Sequence, residues 1–120
     1  MSNPGDFNEE LDLFPPVVVG SIFSCSWGYD QTNIDFFKVV KLMPKSVRVV
    51  QIGSMRAEDS HPHDHSFAVV PNINAERGKP MTKRVNKGWR GKAGLTISSF
   101  QYASLWDGTP KHETNSLYGH

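Results

Sequence analysis

Three stretches of the sequence carry residue types that could do chemistry. Trp27-Gly28-Tyr29-Asp30-Gln31-Thr32-Asn33 sets two aromatic faces beside several hydrogen-bond donors and acceptors, the combination that recognition of a base, a sugar or a peptide requires. Its candidate contacts are Trp27, Tyr29, Asp30, Gln31 and Asn33. The same residues also build structured β-turns, with Trp27 filling a barrel end and Asp30, Thr32 and Asn33 satisfying backbone N–H groups. The second stretch, Arg77 to Lys92, holds seven cations and no acid, together with Trp89 and three glycines. Lys83, Arg84, Lys87, Trp89 and Arg90 are its candidate contacts, because cations attract phosphate in a salt-dependent way while an aromatic ring stacks on a base. A solvated strand edge that resists pairing is the other use of such a run. The third stretch, His61-Pro62-His63-Asp64-His65, has ligand types suited to zinc or nickel. Pro62 and the polar surroundings argue against a regular strand there, and the string is one residue short of the His-x-His-x-Asp-His pattern of metallo-hydrolases. An exposed loop that titrates near the ordinary histidine value is expected, with no metal site.

Charge is segregated along the chain. The net charge is only +1, yet residues 1–37 carry six acids and no base, and residues 38–56 carry Lys38, Lys41, Lys45, Arg48 and Arg56 with no acid. Segregation of this kind bears on partners more than the total does. Catalytic patterns are missing: there is no Gly-x-Ser-x-Gly, no phosphate-binding loop ending in Lys-Ser or Lys-Thr, and no paired-carboxylate spacing. Cys25 is the single cysteine, so no internal disulfide can form, and its apolar strand-like context suits a small core residue. No catalytic residue and no cofactor is assigned.

The elements that must position these residues are short strands. One hundred and twenty residues with ten glycines and eight prolines fit one β-rich domain, too short for separate catalytic and regulatory halves. Residues 1–16 form an acidic, extended lead-in ending in Phe14-Pro15-Pro16, and a single β-rich domain covers 17–120. Strands are expected over 17–27, 34–42 and 47–52, the last two as a hairpin broken at Met43-Pro44-Lys45-Ser46. Short strands over 66–70 and 79–85 flank a turn region, and a long final strand covers 95–106 before the Asp107-Gly108-Thr109-Pro110 turn. No window supports a long helix. The fold class is mainly β, a small SH3-like or related strongly bent β-barrel with long loops.

Val19-Gly20-Ser21-Ile22-Phe23 leading into Ser26-Trp27-Gly28-Tyr29-Asp30-Gln31-Thr32-Asn33, then Phe36-Phe37-Lys38-Val39-Val40 and Lys45-Ser46-Val47, resembles a group of small uncharacterised proteins encoded by bacteriophages and mobile elements. The ending Trp106-Asp107-Gly108 with Tyr118-Gly119-His120 is similar to that group as well. The resemblance implies a phage-type context and no particular chemistry.

The longest apolar stretch, Phe14 to Gly20, is far shorter than the roughly 20 residues a membrane span needs. The acidic start is opposite to the basic start of a secretory signal, which predicts a cytoplasmic protein, and the phage-type resemblance implies that the cell is a bacterial host. The expected function is a non-enzymatic accessory protein that binds an anionic partner, nucleic acid in the first instance. The alternative is an inhibitor of a host defence protein, or a sequestering protein for a nucleotide signal, acting by binding.

Overall fold

The computed structural model describes residues 6–28, 33–56, 66–99, 101–109 and 111–114. A short helix α1 (Phe7–Glu10) precedes strands β1 (Ile22–Trp27), β2 (Asn33–Leu42), β3 (Ser46–Arg56), β4 (Ser66–Lys87), β5 (Ala93–Ser98), β6 (Gln101–Leu105) and β7 (Lys111–Thr114). Each of β1 to β6 pairs antiparallel with its neighbours in the chain, and β6 pairs back onto β1. The result is a mainly β protein built on a closed six-stranded antiparallel barrel. β7 lies outside the barrel and pairs with the first residues of β4.

Closure follows from side-chain alternation, since successive residues of a strand face opposite sides of the sheet. Phe23 and Cys25 of β1, Phe37 and Val39 of β2, Val47 and Val49 of β3, Val85 of β4, Leu95 of β5 and Ala103 of β6 share one buried cluster inside the barrel. A second cluster forms on the outside of the same wall, from Ile34, Phe36, Val50, Ile52 and Val69. The Trp106 ring meets Phe36 edge-on there, with centroids 6.0 Å apart. β2 and β3 are thus apolar on both faces, and this is why the alternation of Ile34 to Leu42 reads as imperfect in the sequence. The Asp107 turn holds the outer cover in place. The Thr109 N–H and hydroxyl both donate to Asp107 Oδ1, at 3.0 and 2.6 Å, and Trp106 Nε1 donates to the Thr109 carbonyl at 2.7 Å. The Thr109 donors hold the Asp107 carboxyl well below the usual carboxylate range.

The strand expected over 17–27 begins only at Ile22, and two further stretches differ from the sequence expectation. The two short strands predicted over 66–70 and 79–85 are parts of one strand, β4, of 22 residues. Pro71, Gly78 and Pro80 do not reverse the chain. Between the pairs Val49–Met81 and Gln51–Arg77, and again between Ile52–Glu76 and Gly53–Asn72, the register shifts so that β4 carries extra residues opposite β3. A bulge leaves its residues outside the ladder, so a missing proline N–H or a left-handed glycine such as Gly78, with φ of 73°, is accommodated. The long strand predicted over 95–106 is in turn two strands, β5 and β6, paired as a hairpin.

The residues before Val17 also do more than lead in. Phe7, Leu13 and Val17 are buried in the barrel cluster and seal one of its ends. The segment is fastened by a two-pronged bond in which Asn8 Oδ1 accepts from the Val17 N–H at 2.8 Å while Asn8 Nδ2 donates to the Val17 carbonyl at 2.9 Å. Truncating Asn8 to alanine strands both backbone groups of Val17, a residue with no exposed surface. The Asn8→Ala variant is expected to lose about 1–3 kcal/mol in chemical denaturation; a loss below about 0.5 kcal/mol would mean that water replaces the side chain at no penalty.

Candidate nucleic-acid interface

Strand direction sorts the candidate residues by barrel end. The β1–β2 and β5–β6 connections lie at one end, and the β2–β3 and β4–β5 connections at the other. At the first end, Trp27 and Asn33 face each other as the last pair of the β1–β2 ladder. Trp27 is half-buried and packs on the barrel cluster, and its Nε1 donates to Asp35 Oδ2 at 2.7 Å. These bonds suit the structural role open to Trp27. Tyr29, Asp30 and Gln31 lie outside the described residues, as do His61, His63 and His65. Among the described residues, no group of histidine, cysteine, aspartate or glutamate is placed to hold a metal ion. Cys25 has no exposed surface; burial, with the nearby Asp35 charge adding to it, pushes its thiol pKa up, so the reactive thiolate is disfavoured.

The run from Arg77 to Lys92 does not form one surface. Lys83 pairs with the fully buried Val47 and therefore points into the barrel, where its Nζ donates to the Ile97 carbonyl at 3.1 Å. Arg84, the next residue, points outward and is exposed. The alternation of a strand separates two neighbours that look equivalent in sequence. Lys87 ends β4 and is exposed, and Trp89 and Arg90 follow in a 3-10 turn, Trp89–Gly91. Arg90 holds φ at 58°, in the left-handed region, a conformation that costs a non-glycine residue on the order of 1 kcal/mol.

The outward cations meet those of the other basic segment instead. Lys41 of β2 is the register partner of Arg48 of β3, and Arg48 in turn pairs with Thr82 of β4, two residues from Arg84. Lys41 and Arg48 therefore face each other directly, and Arg84, the register partner of Ser46, lies diagonal to Arg48 on the next strand, so the three make a slanted row on the outer face, all exposed. Directly opposite residues hold their Cβ atoms roughly 4.5–5.5 Å apart, a spacing at which like charges repel. None of the three side chains makes an ion pair or hydrogen bond among the described residues. Lys38, one turn of the pleat away, differs: its Nζ is held by Glu76 Oε2 at 3.0 Å and the Ile73 carbonyl at 3.3 Å.

Beside this row lies a cleft of about 170 Å³ at the sealed end of the barrel. Phe7, Leu11 and Val85 form its apolar wall, and Glu10, Lys45, Arg84, Asn86 and Lys87 its polar one. The backbone of the β2–β3 turn is clamped on both sides, because the Phe7 N–H donates to the Pro44 carbonyl and the Val85 N–H to the Lys45 carbonyl, each at 3.1 Å. Lys45, Glu10 and Asn86 were not among the residues singled out by motif. The charge block containing Lys45 is visible in the sequence, but its approach to Arg84 and Lys87 depends on barrel closure.

No helix among the described residues is long and apolar enough to cross a membrane. Comparison with family models, curated proteins and solved structures finds no match to this chain.

Proposed function

We propose that this chain is a small phage-type accessory protein of the bacterial cytoplasm that binds nucleic acid, acting by binding rather than by catalysis. The observation that carries the reading is the unpaired row Lys41–Arg48–Arg84 on the outer face of β2, β3 and β4. A sheet that places like charges in register stores repulsion. Phosphate groups laid along the row relieve it and release condensed counterions as they bind.

The test is the salt dependence of binding to a fluorescently labelled oligonucleotide, read by anisotropy. Three phosphate contacts are expected to give a slope of log K against log salt of roughly −2 to −3. A slope near zero, or no binding at low salt, overturns the reading. A second reading, an inhibitor that docks on a host protein, is favoured by Phe14, 80% exposed, with Val18 and Val19 also largely exposed on the segment before β1. An apolar contact of that kind weakens little with salt, so the same titration on a partner captured from lysate, with and without nuclease, separates the two.

A further inference from the structure

The cleft at the sealed end differs from the open row beside it in ways that point to a more concentrated charge. Lys45 comes from one hairpin turn, whereas Arg84 and Lys87 come from the end of β4, and the three line one half-open cleft. Their side chains make no hydrogen bond or ion pair among the described residues. Asn86 adds a neutral donor, and Glu10 is the single acid on the lining. Three cations less one carboxylate leave two positive charges. A phosphodiester carries one negative charge, whereas a phosphomonoester carries about 1.5 to 2 at neutral pH and presents three acceptor oxygens.

We propose that this cleft is a phosphomonoester site, taking the terminal phosphate of a nucleic-acid strand or of a free nucleotide. Arg84 offers a planar fork suited to two phosphate oxygens, and Lys45 and Lys87 act as point charges on either side of it. Leu11 is half-buried and gives the lining its apolar edge, with Phe7 and Val85 buried beneath it. Because the turn that carries Lys45 is clamped by α1 and β4, its backbone needs little ordering on binding, and the cost falls on the three cationic side chains. The inference rests on the nucleic-acid reading only for the strand-end form of the ligand. Glu10 offsets one of the three cations, so its removal should raise the affinity for the doubly charged monoester more than for the singly charged diester.

The experiment compares one oligonucleotide sequence in three forms, unphosphorylated, 5′-phosphorylated and 3′-phosphorylated, with AMP and adenosine as a second pair measured by calorimetry. A phosphate at one end is expected to tighten binding about tenfold, the scale of one good charge-assisted contact, and AMP is expected to bind where adenosine does not. Lys45→Ala/Lys87→Ala should abolish both differences while leaving the binding of the unphosphorylated strand within a few-fold, since neither residue belongs to the outer row. Glu10→Gln should widen the preference for phosphorylated over unphosphorylated strands. A stronger effect on the strand than on AMP assigns the site to strand ends, and the reverse assigns it to nucleotides. If all three oligonucleotides bind alike and AMP does not exceed adenosine, the site is overturned while the outer row stands. If no oligonucleotide binds, the nucleic-acid reading falls, and the AMP pair alone then upholds or overturns the cleft.

Discussion

The Lys41→Ala/Arg48→Ala/Arg84→Ala variant is expected to bind an oligonucleotide about a hundredfold more weakly than the parent near 0.15 M salt, with a salt slope reduced by roughly 2 to 3. Each phosphate contact contributes a factor of somewhat under ten at that ionic strength, and the row supplies three. Folding stability should move the other way or not at all. Lys41 and Arg48 are register partners of like charge, so removing them takes repulsion out of the native state, and exposed cations without partners contribute little to it. Thermal melting and anisotropy on the same samples give the two readouts. A variant that binds like the parent removes the outer face from the function. One that melts well below the parent shows that the row has a structural duty which the absence of partners conceals.

Charge and strand patterning were legible without coordinates to different depths. The β-branched and aromatic runs sufficed for a bent β-barrel, because a strand with one buried face announces itself by alternation. Alternation also conceals. In Ile34 to Leu42 it is blurred because β2 is covered on both sides, by the barrel cluster and by the outer one. Pro71 and Gly78 read as strand breakers because those residue types end strands in most settings; here the chain runs on through both, held in line by a long partner strand, β3. The basic run from Arg77 to Lys92 was visible as a run, but whether Lys83 and Arg84 act together depends on which of them faces Val47, and that is a fact of register. The cleft was further from view. Its residues come from α1, the β2–β3 turn and the end of β4, and only closure of the barrel makes them neighbours.

The second large effect is expected where the sequence promised least, at Phe7. A four-residue helix has no stability of its own, and α1 lacks even a side-chain cap at Asp6. What holds it is tertiary: the Phe7 ring, 1% exposed within the barrel cluster, and the bond from the Phe7 N–H to the Pro44 carbonyl. The Phe7→Ala variant is expected to lose about 3–5 kcal/mol, since truncating a buried phenylalanine removes its transfer free energy and leaves a cavity. That is a large share of the stability of a domain this size, typically about 5–15 kcal/mol. If residues before Val17 were an appendage, the loss would be within about 0.5 kcal/mol, the range of surface substitutions. Denaturant unfolding distinguishes the two without ambiguity of sign. Phe7→Leu provides the graded control, because it keeps most of the apolar volume and should recover more than half of the loss. The plug also forms one wall of the cleft that Lys45, Arg84 and Lys87 line. A protein in which Phe7→Ala unfolds α1 but leaves the barrel intact should therefore keep the binding conferred by the outer row and lose its discrimination of terminal phosphates, tying the stability of the first strand-less segment to the chemistry of the site it encloses.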